Sequence, residues 1–299
     1  MAILAPGRDR LAELGAFRGR SLWQDARDRL LRNRAAVAAM VVLGLITLAA
    51  VLAPWLSPHP FDEVYWDRIA LPPDAANAHW FGTDANGRDL FVRTLYGARV
   101  SLAVGVAATL VSLVIGVVYG AVAGFVGGRT DEVMMRIVDI LYSLPFMFFV
   151  IILMVVFGRN IVLVFLAIGA VEWLTMARIV RGQTLSVKRK EFIEAAHAAG
   201  VPTRTIIRRH ILPNVLGPVV VFVTLTVPEV IIIESFLSFL GLGVQEPYTS
   251  WGVLISEGAR QMESAPWMLI FPAIFLGVTL FCFNFIGDGL RDALDPKDR

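Results

Sequence analysis

The chain has 299 residues, 57% apolar and only 17% charged, with a formal net charge of +2 and a mean hydropathy of +0.67. Soluble domains carry about 25% charged residues, so this chain has too few to coat a water-facing globule of its length, and most of it belongs in a bilayer. One cysteine, Cys282, excludes an intramolecular disulfide framework, the histidines form no HExxH or HxxxH pair, and no GxxxxGK[ST] loop occurs, so any ATP must bind another polypeptide.

In chain order, SLWQDARDRLLRN (21–33) predicts a short amphipathic helix with Leu22, Trp23, Ala26 and Leu30 on one side and arginines on the other. It lies either along the headgroup layer or as a solvated lead-in to the membrane. Six stretches nearly free of charge then predict an all-α membrane protein with spans at 35–56, 101–126, 137–157, 161–180, 214–240 and 267–286. Alternating strand patterns are absent, which excludes a membrane β-barrel. The first span follows 34 residues and is longer than a signal-peptide core, so it stays attached. With the N-terminus inside, cytoplasmic segments collect 21 of the 27 Lys and Arg residues, which places both termini in the cytoplasm.

The first external loop, 57–100, contains DANGRD (84–89). This is not a calcium loop, because Arg88 occupies a ligand position; it reads as a turn built on Asp84 and Gly87, leading into a helix, with its charged pairs pinning the outer edge of the fold. Gly116, Gly120, Gly124 and Gly128 recur every four residues, the spacing of a helix-packing groove, although glycine is also simply frequent in membrane helices. Pro145, Pro228 and Pro272 lie inside spans, where they favour bends that suit either a moving cavity or a static bundle. Glu172 and Glu229 sit near mid-depth. Charges there are costly, so both face protein or water: either they border a pathway, or each is a protonated carboxyl bonded to a neighbouring helix. Trp251 and Trp267 flank the last external loop, 241–266, where an aromatic belt is expected, and Cys282 reads as a small buried hydrophobe.

The strongest signal lies in the cytoplasmic loop 181–213. Glu191 to Ala199 is rich in helix formers, and Gly200 occupies the place of a left-handed C-terminal residue. Pro202 breaks the chain, and Thr203 is placed to cap a second helix ending before Pro213. Ala195, Ala196, Ala198 and Ala199 leave the first helix nearly bare, so it can seat deep in a partner's groove with Glu194 free to meet a basic side chain.

Glu194-Ala195-Ala196, three residues, Gly200, and then Ile211-Leu212-Pro213 resemble the EAA motif of ABC-importer permeases. The usual pattern has Ile two residues before Leu; here that place is His210. Within these permeases the chain is similar to the dipeptide and oligopeptide group. The resemblance is carried by FGTDANGRDLFVRTLYGARVSL (81–102), ARIVRGQTLSVKRKEFIEAA (177–196), RHILPN (209–214), ESFLSFLGLGVQEP (234–247) and FNFIGDGLRDALDPKDR (283–299). SLWQDARDRLLRNRAAVAA (21–39) extends it to the C-subunit branch of oligopeptide permeases. The resemblance implies the type I importer permease fold, with six transmembrane helices and a coupling helix between spans four and five. It implies a homologous second permease subunit, two ATP-binding subunits carrying ATP and Mg, an external peptide-binding protein and a bacterial inner membrane. This chain itself is expected to bind no cofactor, metal or nucleic acid and to catalyse nothing. Dipeptides, nickel or opine-like solutes are the alternative cargoes. A secondary transporter or channel lacks a reason for the EAA loop and shows no inverted repeat; an intramembrane hydrolase lacks a histidine inside any span.

Overall fold

The computed structural model describes residues 22–158 and 160–294; among these the regular structure is helical apart from two isolated β-bridges, Asp74–His79 and Thr83–Asp89, which lie in the irregular segment 57–89. The charges before residue 22, Arg159 and the residues after 294, which enter the topology argument, lie outside the described residues.

Helix α1 (Leu22–Arg32) leads to Asn33, whose side-chain oxygen accepts from the backbone N–H groups of Ala35 and Ala36 and so opens α2 (Arg34–Leu56). Of the apolar side of α1, Ala26 is buried and Leu30 is half-buried against the chain's own last helix, α11 (Trp267–Leu294), whereas Trp23 stays exposed. Gly289 makes that contact possible: a Cβ there would come within 2.6 Å of the Ala36 Cβ and 3.1 Å of the Leu30 Cδ1. In α2 only small residues, Ala36, Ala39, Ala50 and Ala53, are buried, while Val41, Leu45 and Leu48 point outward.

The helix that carries the second span is longer than the span itself. Helix α3 runs unbroken from Leu90 to Val126, beginning at Leu90 rather than at 101, because its early charges are satisfied without leaving the helix. Asp89 caps it by accepting from the Val92 N–H at 2.8 Å, Arg93 is ion-paired, and the Arg99 guanidinium donates to the carbonyls of Ala50 and, at 2.7 Å, Val51. Its 37 residues span about 55 Å, well beyond a ~30 Å hydrocarbon core, so its first turns stand above the membrane.

The third span is broken. Helices α4 (Gly128–Ser143) and α5 (Phe146–Phe157) meet at 78°. Pro145 holds Leu144 in extended backbone, ψ 137°, and supplies no N–H to continue the ladder. Pro228 and Pro272, by contrast, lie inside continuous helices. The expected loop at 127–136 is therefore helical from Gly128 onward.

Helix α6 (Ile161–Lys188) is followed by α7 (Glu191–Ala198), the short α8 (Thr203–Ile206), a π-helical turn (Ile207–Ile211) and α9 (Leu212–Phe239). The segment after Pro202 does not end before Pro213 as a separate helix. Pro202 itself is the N-cap of α8, Thr203 makes no capping bond, and the backbone continues through the π turn into the fifth span. Helix α10 (Trp251–Arg260) lies in 241–266, the last segment expected to be external. Among the described residues five helices are long and apolar enough to cross a membrane, and six spans result if the bent pair is one.

Candidate functional site

The EAA segment is built as a short helix fastened by one face. Its C-terminus closes with a Schellman motif: the Val201 N–H donates to the Ala196 carbonyl at 3.1 Å and the Gly200 N–H to His197 at 3.0 Å, with Gly200 at φ +72°. Ile193, 1% exposed, joins a core of Val187, Ile206, Ile211 and residues of α3, α6 and α9. The His197 ring stacks on Phe125 at the end of α3, centroids 5.5 Å apart and 3° from parallel. Ala196, expected on the docking face, is instead half-buried against this core, since its position three residues after Ile193 turns it toward the spans. Glu191, Phe192, Glu194, Ala195, Ala198 and Ala199 are exposed and form the free face. Ile211 is buried in the same core, Leu212 packs on it, and Pro213 is exposed.

Three of the four glycines in register meet α6. Cβ atoms at Gly116 and Gly124 would come within 2.5 Å of the Met176 side chain and 2.9 Å of the Arg181 carbonyl; at Gly120 one would run into the Ala177 carbonyl. Gly128 is a correction. It lies beyond the end of α3, at φ +57° with nothing within 4 Å, so it packs against no helix and is instead the first residue of α4. Gly169 on α6, against Ala108 and Val111, continues the close approach. Across the same helix, Asp131 of α4 receives both Nε and Nη2 of Arg181, at 2.5 and 2.6 Å, and Asp139 receives Arg178 at 2.8 Å.

Glu172 lines a cavity of about 380 Å³ at the break of the third span, together with Tyr142, Leu144, Phe146 and Thr175. Glu229 of α9 is exposed on the isolated chain. A third acid escaped the sequence reading. Glu234 is fully buried and accepts from Ser238 Oγ at 2.7 Å and Ser101 Oγ at 3.2 Å. Its signal was present as an acid followed by a serine four residues on, the spacing that lets a hydroxyl reach the carboxylate on one helical face.

The two segments expected to be external, 57–89 and 241–266, form one assembly. Asp84 accepts from the backbone of Asn86 and Arg88 at 2.8 and 2.9 Å and from the guanidinium of Arg88 at 2.8 Å, and it pairs with Arg93. Arg88 reaches Glu246 at 2.9 Å and Arg93 reaches Glu257 at 3.0 Å, partners more than 150 positions away that no local pattern identifies. Trp251 does not belong to an aromatic belt: it is fully buried and donates its Nε1–H to the Thr94 carbonyl at 3.1 Å. Trp267 is partly buried and donates to Thr83 at 3.3 Å. Tyr65, pushed up to about 12 by burial and then by its bond to Glu63, edges against stacked His59 and His79. His59, His79 and Asp89 are metal-ligand types within 4.8 Å of one another. Their atoms are already committed, however: His79 lies between Asp89, at 2.8 Å, and Arg68, at 3.0 Å, and His59 between Tyr65 and the Asn77 carbonyl. A cation there would face a guanidinium, so the group is a structural clasp.

Residues 116–299 match the family described as binding-protein-dependent transport system inner membrane component, and residues 21–73 match the N-terminal transmembrane domain of oligopeptide transport permease C. The chain is 66% identical over 281 residues to the oligopeptide transport system permease protein OppC of Escherichia coli K12, covering 94% of this chain and 93% of that protein. It is 60% identical to OppC of Haemophilus influenzae, covering 97% and 93%, and 49% identical to the dipeptide transport system permease protein DppC of Bacillus subtilis, covering 93% and 87%. Among solved structures, a chain of the MetNI methionine ABC transporter in an inward-facing conformation superposes with a TM-score of 0.56 at 19% identity, covering 69% of this chain and 96% of that one. That likeness shows a shared permease fold.

Proposed function

Since the chain belongs to the family of binding-protein-dependent transport system inner membrane components, we propose that it is the permease subunit of an ATP-driven oligopeptide importer. The observation that carries the cargo class is identity of 60–66% sustained over more than nine-tenths of both chains with proteins named as oligopeptide permeases. The relative named as a dipeptide permease stands lower, at 49%.

In this reading the chain encloses half of the pathway, and a homologous second permease subunit covers the face bearing Glu172 and Glu229. Two ATP-binding subunits, holding ATP and Mg, bind below, and one of them receives the free face of α7, with Glu194 and Ala195 at the contact. Ile193 and the His197–Phe125 stack transmit the motion of α7 to α3, α6 and α9. The joined outer segments receive a peptide-binding protein. The protein sits in a bacterial inner membrane with both termini cytoplasmic, surrounded by lipid, and binds no cofactor of its own.

The test is uptake by vesicles holding the co-purified complex, supplied with binding protein, ATP and a mixed peptide pool. Accumulation of oligopeptides that stops without ATP supports the reading. Uptake that persists without ATP, or purification free of any ATP-hydrolysing subunit, overturns it.

A further inference from the structure

Pro213 has no N–H, and in an α register its ring would collide with the carbonyl of Arg209. The backbone answers with the π turn at Ile207–Ile211, in which the Leu212 N–H reaches back to the Ile207 carbonyl. Bonding five residues apart widens the turn. Arg208, four residues after Arg204, is its ordinary helical neighbour; the wide turn also swings Arg209, five residues after, toward the same side. The three side chains, with Thr205, line a cavity of about 250 Å³.

Like charges at this spacing repel, and among the described residues the side chains of Arg204, Arg208 and Arg209 make no hydrogen bond or ion pair. The contrast lies one helix away, where Arg178 and Arg181 have Asp139 and Asp131. Three converging guanidiniums with no carboxylate among them offer planar forks matched to the oxygens of a phosphate.

We propose that Arg204, Arg208 and Arg209 form a phosphate-binding pocket at the foot of the fifth span, filled by the headgroup of an anionic phospholipid. Position favours the lipid over other anions. The helical run Thr203–Phe239 has 37 residues, whereas about 20 cross the hydrocarbon core, so its first turns lie outside that core. Uncharged sequence begins at Ile211, and Arg209 stands about 8 Å before Asn214 along the axis, at headgroup level. Basic side chains clustered at this level, just beyond the apolar part of a span, attract anionic headgroups. The inference rests on the cavity and the membrane embedding, and is independent of which cargo crosses.

The experiment measures lipid retained by the purified full-length chain, by native mass spectrometry from mixed phosphatidylglycerol and phosphatidylcholine. Wild type should retain phosphatidylglycerol at least tenfold over phosphatidylcholine, and less as salt rises. Arg204→Gln/Arg208→Gln/Arg209→Gln should abolish that preference. Arg189→Gln/Lys190→Gln, equally basic positions that do not line the cavity, should keep it. Melting curves confirm that each variant is folded. Equal loss in both variants overturns the pocket, because the effect is then diffuse charge. Displacement of the lipid by millimolar inorganic phosphate assigns the site to the free anion and overturns the lipid. If the triple variant keeps phosphatidylglycerol but loses its ATP-hydrolysing partner, the arginines belong to a protein interface and the proposal falls.

Discussion

Truncating Ile193 to alanine tests whether the coupling helix works through its anchor. Eight residues are too few for a helix to persist alone in water, so tertiary contacts hold α7. Ile193 is its one fully buried side chain; Ala196 is small and half-buried, and His197 adds a single ring stack. Removing a buried isoleucine to alanine costs about 2–5 kcal/mol. Because this loss falls on one short element, it appears as local opening, which rises roughly 30-fold to several thousand-fold at 1.4 kcal/mol per decade. Hydrogen exchange at Ala195–Ala198 should accelerate accordingly, and trypsin should cut faster at Lys188, Arg189, Lys190 and Arg204, while exchange in α3 and α9 stays near wild type. Peptide uptake, and the stimulation of ATP hydrolysis by loaded binding protein, should fall together. Wild-type exchange and cleavage would refute the anchoring argument. A loosened helix with unchanged uptake and unchanged stimulation would refute its coupling role.

Gly200→Val places a branched side chain at φ +72° with nothing within 4 Å, so the cost is backbone strain alone, about 1–2 kcal/mol or more; uptake should drop, and Gly200→Asn, which tolerates this conformation, should restore part of it. Gly120→Leu drives a side chain into the Ala177 carbonyl and should destabilise the α3–α6 contact by about 1–3 kcal/mol or more, whereas Gly128→Leu meets open space and should lower the melting temperature in detergent far less. Asp84→Asn leaves buried Arg88 and Arg93 without their shared carboxylate, a loss of about 3–5 kcal/mol for a broken buried pair; an unchanged melting temperature would refute the role of this ion-pair group. Glu172→Gln and Glu229→Gln should reduce uptake of peptides with a free amino terminus more than of N-acetylated ones, and equal uptake of both kinds by both variants would remove the pathway role.

Hydropathy and charge are sums over neighbouring residues, so the sequence by itself determined the membrane class, the places of the apolar segments and the helix-then-glycine grammar of 191–200. It also determined the family, because ordered motifs survive without reference to three dimensions. Gly200 was legible because a left-handed residue after a helix is a local requirement. What escaped depends on partners brought from afar. Arg93 and Arg99 look like helix-stopping charges until Asp84, Glu257 and the carbonyls of Ala50 and Val51 are beside them. Trp251 looks interfacial until Thr94 accepts its N–H in the core. Gly128 keeps the four-residue spacing, but α3 has already ended and α4 begins there, so spacing alone could not tell a groove from the start of the next helix. Ala196 and Ala195 are identical in sequence terms, yet only the packing of Ile193 against the spans decides which of them faces inward. A side chain's partners across 100 residues are set by how helices cross, and crossing is decided by which faces fit, a property of the assembled surfaces and of no single segment.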